Sequence, residues 1–494
     1  MLALSATLLC WDLGQWCFWG DELNTIDLAR CSVPELLDHA DVYPPFYFLI
    51  VHFWIGLFGE SEVSYRLISA LPGIAAVAVV YALGREARDE RLGLLAAGLL
   101  AMSPFAVLFV RMGRYYAWSM FLTTASTWLF LRWLRTARWR DAGIYWLASL
   151  LLLYTHYLPA VTLLWQNLHM LAHARRYRSR SIVWIGLQAS LFVAFLPWLG
   201  RIFTQTGHYT GYSPAELSTG LRGILVKVGY TAYAFILGET VFPWRWGITI
   251  PAGLAGLALW LRGAAWAWRQ GPGPRFWLAA TLLSIGATVA ITATVARFEQ
   301  TSHVPCLLLF IYPMFLLTLA AGGLAFWDQH RRWRRLVVGG SCCVLGLSWL
   351  LGLSNYFTGR DLHNPQWDIP WREVVAHIRQ EHRSGDLFVH AEGQLSIYGP
   401  DLTPSPGVWM AESAWQRGER WPRVWTILRD RGQRELVEAV EVFESKLIQE
   451  YRMIDERGFA PISVSEQRYK SRLLGRPVLP YNVRVRLYER MLPP

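Results

Sequence analysis

Residues 64–91 read SYRLISALPGIAAVAVVYALGREARDER. Residues 64–84 make an apolar run about as long as the ~20 residues a helix needs to cross ~30 Å of hydrocarbon. Arg85, Arg88 and Arg91 close it. Cytoplasmic loops keep an excess of basic residues, so an apolar span ending in arginines reads as a membrane helix leaving the bilayer on the cytoplasmic side. The pattern repeats. Further spans are expected at residues 92–110, 116–134, 181–203, 246–268, 275–295, 304–326 and 336–357. Between many of them stand basic clusters, such as Arg132, Arg135, Arg138 and Arg140, or Arg331, Arg332, Arg334 and Arg335.

Composition agrees with this. Of 494 residues, 53% are hydrophobic, and the formal charge is +11. The mean hydropathy of +0.24 is more apolar than soluble cores of this length require. From Arg360 onward there are 20 basic and 19 acidic residues, against 27 and 17 before it, so the surplus belongs to the membrane part. Short cytoplasmic loops account for a pI near 9.5, and nucleic acid is not an expected partner. Cys10, Cys17, Cys31, Cys306, Cys342 and Cys343 show neither a disulfide framework nor zinc-type spacing. Only three lysines accompany 44 arginines, a bias that points to a GC-rich bacterial source.

Cytoplasmic clusters also test the weaker segments, because each stretch between two of them must cross an even number of times. Residues 142–172 break at Tyr154-Thr155-His156-Tyr157-Leu158-Pro159 and are expected to form a hairpin of short helices with its tip outside. Residues 221–243, with Lys227 and Glu239, should lie on the outer surface or re-enter. Residues 44–58 should form an interfacial helix, since fifteen residues rise only about 22 Å. Met1 to Trp11 lacks the basic start and cleavage site of a signal peptide and is short for a span. Either the first helix is unusually short or further residues precede it. The expectation is an all-α polytopic membrane domain, residues 1–358, with about eleven transmembrane helices plus interfacial ones. Residues 359–494 should form a small extracytoplasmic α/β domain: a helix over 371–383, strands at 387–390 and 424–428, an amphipathic helix over 433–455 and a last strand at 483–488.

Four separated polar groups then fall on the outer face. Asp21-Glu22 follows Trp19-Gly20, and two acids near lipid are either solvated or functional. Arg111 and Arg114 run against the positive-inside trend beside Tyr115 and Tyr116; they either snorkel or bind an anionic phosphate. His156 either finishes a helix end or serves a phosphate or a proton. Arg297, Glu299 and His303 form either a phosphate clamp or an ordinary polar loop. Their convergence supplies carboxylates for a base and cations for a lipid-linked phosphate.

The order Trp19-Gly20-Asp21-Glu22, Tyr43-Pro44-Pro45-Phe46-Tyr47, Arg114-Tyr115-Tyr116 and Thr155-His156-Tyr157 resembles the bacterial branch of the GT-C glycosyltransferases. Within it, the chain is similar to glycosyltransferase family 39, the protein O-mannosyltransferase and aminoarabinose-transferase-like group. Trp371-Arg372-Glu373-Val374-Val375 with Ser384-Gly385-Asp386 is similar to that group's extracytoplasmic module. The resemblance implies Asp21 as catalytic base with Glu22 beside it, and Tyr43, Arg111, Arg114, Tyr116, His156, Tyr157, Arg297 and His303 around the substrate. Tyr43 stands where many relatives have histidine, Met112 where they have glutamate, and Cys306-Leu307 about where they carry Arg-Tyr; Arg297 or His303 is expected to substitute there.

The implied activity is inverting transfer of a hexose such as mannose from a polyprenyl-phosphate carrier, without a metal or other cofactor, at a bacterial plasma membrane. The acceptor is a protein, lipid or glycan hydroxyl. The rival is a transporter or flippase of lipid-linked sugar, which calls for charges deep inside spans, whereas most charges here sit at span ends.

Overall fold

The computed structural model describes residues 1–39, 44–209, 220–294, 304–328, 332–360, 369–390, 393–402, 408–429, 434–474 and 477–491. The chain divides into two compact units, one of Met1–Leu13 with Thr25–His363 and the other of Gly14–Asn24 with Asn364–Pro494. The sequence-based boundary at 358/359 lies close to the end of the first unit. It carried no sign that residues 14–24 belong with the C-terminal part.

Among the described residues, the regular structure of the first unit is helical. Its N-terminal helices are α1 (Leu2–Cys10), α2 (Gly20–Arg30), which begins in the other unit, α3 (Val33–His39) and α4 (Phe46–Phe58). Then come α5 (Glu62–Ala87), α6 (Glu90–Met102), α7 (Pro104–Val110), α8 (Tyr116–Thr136), α9 (Trp139–Leu153) and α10 (Ala160–Ala172). The series ends with α11 (Arg178–Tyr209), α12 (Gly220–Leu237), α13 (Trp246–Arg269), α14 (Pro272–Thr294), α15 (Val304–Leu307), α16 (Tyr312–Trp327) and α17 (Arg332–Thr358). In this unit every expected span is helical over most of its described residues, with breaks at Ser103 in 92–110 and at Leu308 in 304–326, and the protein is a multi-pass membrane protein.

Among the described residues, five helical stretches are long and apolar enough to span a bilayer by themselves: Glu62–Ala87, Arg178–Arg201, Trp246–Arg269, Leu309–Trp327 and Arg335–Thr358. The pair α6 and α7, bent by 59°, makes a sixth if read as one span. Its break has a local cause: Pro104 lacks an N–H and holds Ser103 in extended backbone, and the Ser103 hydroxyl takes the Ala106 N–H to start α7. Residues 142–172 form the expected short helices α9 and α10, joined through the break at 154–159. In α12 and just beyond, Lys227 and Glu239 are completely buried.

Helices α13 and α16 approach backbone to backbone. A methyl on Gly263 would stand 1.8 Å from the Thr318 carbonyl oxygen, and one on Gly322 1.8 Å from that of Leu259. Small residues permit this contact in lipid, where van der Waals packing and not hydrophobic exclusion holds helices together.

The second unit contains α18 (Trp371–Glu381), α19 (Leu395–Tyr398), α20 (Val408–Gln416), α21 (Arg434–Glu450) and α22 (Val464–Leu474) with strands β1 (Leu387–His390), β2 (Arg423–Arg429), β3 (Tyr451–Pro461) and β4 (Tyr481–Arg490). The sheet order is β1-β2-β4-β3, with β1 parallel to β2 and the other pairs antiparallel. One face buries Trp371, Val375, Phe388, Trp425 and Val485; the other buries Val389, Val424, Val440, Phe443 and Tyr488. The Asp386 carboxylate is buried beneath the Arg423 guanidinium at 2.6 Å and also accepts the Trp425 indole N–H. Burial raises that carboxyl, but these donors outweigh it and hold it below the ordinary carboxylate value.

One expectation is corrected here. The amphipathic helix read over 433–455 stops at Glu450, and Tyr451–Pro461 is an edge strand. Seen alone, β3 shows no alternation, because most of its residues are exposed. Pairing with β4 decides it.

Candidate active site

Helix α7 ends at Val110 and α8 starts at Tyr116, so residues 111–115 turn sharply inside the first unit, and all of them are buried. Arg114 is 1% exposed. Its Nη1 donates to Thr25 Oγ1 at 3.1 Å, and its own carbonyl accepts the Ser69 hydroxyl at 2.9 Å. The guanidinium lies 5.0 Å from the centre of the Tyr115 ring. Tyr115 in turn stacks on His156, with centroids 4.5 Å apart and planes within 18°. Tyr116 meets Tyr115 edge-on at 4.9 Å, and Tyr47 approaches Tyr115 at 6.4 Å. A guanidinium keeps its charge at every physiological pH, so its burial is tolerable only with compensating acceptors, π faces or anions.

The hairpin tip is tied to the start of α4, because the Phe46 N–H donates to the Tyr154 carbonyl at 2.9 Å. This bond joins the Pro44-Pro45 segment to the Thr155-His156 turn, two motifs more than 100 residues apart in the chain. His156 is buried, and its Nδ1 accepts the Leu158 N–H at 3.1 Å, which leaves the proton on Nε2. Burial and then the Arg114 charge push the imidazole down to about 3. His156 is therefore neutral near pH 7 and presents an N–H at Nε2, not the charge expected of a cation. Replacing it by glutamine, which keeps a neutral N–H donor, is expected to preserve turnover within about ten-fold, a smaller loss than the ~10²-fold of losing a transition-state contact. A ~10²-fold loss in the folded His156→Gln protein would restore the cationic role.

Two other expected ligands also tie the fold together. Arg111 donates from Nη1 to the Leu8 and Trp11 carbonyls, from Nη2 to that of Asp12 and from Nε to the Tyr356 hydroxyl, at 2.7–3.0 Å. It thus finishes the C-terminal end of α1, whose last carbonyls have no helical partners. Tyr157 accepts the Trp198 indole N–H at 2.8 Å and packs with Phe195 and Trp198 of α11. Tyr43, Arg297 and His303 lie outside the described residues, as does Glu299.

Asp21 and Glu22 belong to the second unit and occupy the first turn of α2, where unsatisfied backbone N–H groups favour carboxylates. Glu22 is buried, and its Oε2 accepts the Trp19 N–H at 3.2 Å. That is the glutamate half of a capping box, so Glu22 holds the helix start. Asp21 is half-buried. Sequence reading missed Thr25 and Ser69; the one signal for Thr25 was its spacing of one helical turn from Asp21.

A family model described as dolichyl-phosphate-mannose-protein mannosyltransferase matches residues 42–200, the stretch that supplies Tyr47, Ser69, Arg114, Tyr115 and His156. No curated protein matches the sequence. Among solved structures, apo ArnT from Cupriavidus metallidurans is similar at 12% identity and a TM-score of 0.56, over 98% of this chain and 96% of that one. The same protein bound to undecaprenyl phosphate gives 11% identity and a TM-score of 0.53, over 98% and 97%. The archaeal oligosaccharyltransferase AglB from Archaeoglobus fulgidus, in complex with an inhibitory peptide and a dolichol-phosphate, gives 11% and 0.56, over 99% and 87%. At such identities the likeness establishes a shared fold.

Proposed function

We propose that this chain is a membrane glycosyltransferase of the GT-C superfamily that transfers a sugar from a polyprenyl-phosphate carrier to an extracytoplasmic hydroxyl, with Asp21 as the general base. The observation that carries the reading is Arg114, a buried guanidinium framed by Thr25, Tyr115 and the neutral His156 within the segment that matches the mannosyltransferase family. Two similar structures were solved with polyprenyl phosphates, which supports a lipid phosphate as the anion it serves.

A hydroxyl is a poor nucleophile at neutral pH. In the proposed step its oxygen attacks the anomeric carbon while its proton passes to the Asp21 carboxylate, a transfer worth typically ~10²- to 10⁴-fold. The bond from the anomeric carbon to the phosphate oxygen breaks, and its electron pair leaves with the polyprenyl phosphate. Arg114 stabilises the charge gathering there. A single displacement of this kind inverts the anomeric centre. Because the leaving group is already a phosphate, no metal is required. A hexose such as mannose is the proposed sugar, and the extracytoplasmic face of a bacterial plasma membrane the proposed location.

The test uses purified protein in detergent, undecaprenyl-phosphate mannose labelled in the sugar, and an envelope extract as acceptor. The expected result is release of undecaprenyl phosphate with label passing to the extract, unchanged by a chelator. Intact lipid-linked sugar, with vesicles showing only its movement across the bilayer, would favour a flippase. Activity lost on chelation and restored by a divalent ion would overturn the metal-independent mechanism.

A further inference from the structure

The stretch between α1 and α2 has no regular structure, so its backbone groups need partners from elsewhere. In the second unit those partners come from the C-terminal elements. The Arg372 guanidinium, in the first turn of α18, donates from Nη2 to the Gly14 carbonyl at 3.0 Å and from Nη1 to that of Gln15 at 3.2 Å. The Tyr398 hydroxyl, at the end of α19, accepts the Phe18 N–H at 2.7 Å. The Tyr398 ring also lies 6.4 Å from that of Phe18 and beneath Arg372, whose guanidinium carbon is 5.7 Å from its centre. Between these ties, Cys17 is buried in the core that contains Trp371 and Trp425.

Four residues after Cys17 stands Asp21. We infer that Arg372 and Tyr398 are positioning residues for the catalytic acid: the C-terminal domain holds the 14–24 segment and thereby sets where Asp21 stands. This rests on Asp21 being the base. The soluble domain is then part of the catalytic apparatus, and its motif Trp371-Arg372 has a task beyond folding the domain: Trp371 builds the core on which Cys17 rests, and Arg372 grips the segment itself.

The experiment uses the full-length protein with undecaprenyl-phosphate mannose as donor and an envelope extract as acceptor. Tyr398→Phe removes one hydroxyl and keeps the ring; Arg372→Ala removes both carbonyl contacts. Each is expected to lower kcat by about ten-fold and the pair by up to ~10²-fold, the scale of a 1 Å misplacement. The KM for the donor should not change, and Arg372→Lys should recover part of the loss. Hydrogen exchange of the peptide covering residues 14–24 should quicken in the same variants. In an Asp21→Asn background the pair should add nothing to the residual rate. An inactive Asp21→Asn protein beside fully active Tyr398→Phe and Arg372→Ala proteins would overturn the inference alone, as would losses that multiply with Asp21→Asn. Wild-type turnover in Asp21→Asn would remove the base and the inference with it.

Discussion

Asp21→Asn is expected to lower turnover by ~10²- to 10⁴-fold while leaving the protein folded and donor binding nearly unchanged. Asparagine has almost the shape of aspartate, but its amide cannot accept the acceptor's proton. The neighbouring carboxylate is a poor substitute, because Glu22 is buried and accepts the Trp19 N–H at the helix start. The contrast between the two acids sharpens the test. Glu22→Gln should act mainly on folding, because it weakens a capping-box bond worth ~1 kcal/mol, whereas Asp21→Asn should act on kcat. Turnover of transferred label against thermal stability in detergent separates them. A purified Asp21→Asn protein that turns over like wild type means that some other group takes the proton.

Arg114→Ala is expected to reduce kcat/KM for the lipid donor by ~10²- to 10³-fold, the range seen when one transition-state donor is lost. Part should appear as a raised donor KM, since the phosphate is charged before transfer as well as after it. Arg114→Lys keeps the charge but not the planar fork that reaches Thr25 while lying against Tyr115, so its recovery should be partial. Because Arg114 is buried, its removal also disturbs packing. Thr25→Val provides the control, as it removes one hydrogen-bond partner and keeps the guanidinium. A donor KM unchanged in a folded Arg114→Ala protein would show that this cation does not hold the phosphate.

The membrane fold was readable because lipid imposes a strong and local rule: apolar runs of about 20 residues, with arginines left on one side. Residues 64–84 followed by Arg85, Arg88 and Arg91 obey it, and the helix Glu62–Ala87 stands there. Strands 387–390 and 424–428 were readable for a related reason, since short apolar runs bury on a sheet. Strand Tyr451–Pro461 was not, because an exposed edge strand has no apolar period and takes its form from its neighbour.

The same division runs through the candidate site. Sequence alone singled out Asp21, Arg114 and His156, because ionisable groups next to lipid are costly and stand out, and the family resemblance added Tyr116. Only the tertiary structure separated Arg114, facing Thr25 and Tyr115, from Arg111 three residues earlier, which satisfies the carbonyls ending α1. It also made His156 neutral and gave residues 14–24 to the C-terminal unit. Residue type fixes which groups are able to do chemistry. Which of them instead satisfy the backbone depends on where unpaired carbonyls and N–H groups end up, and that is known only once distant segments have met.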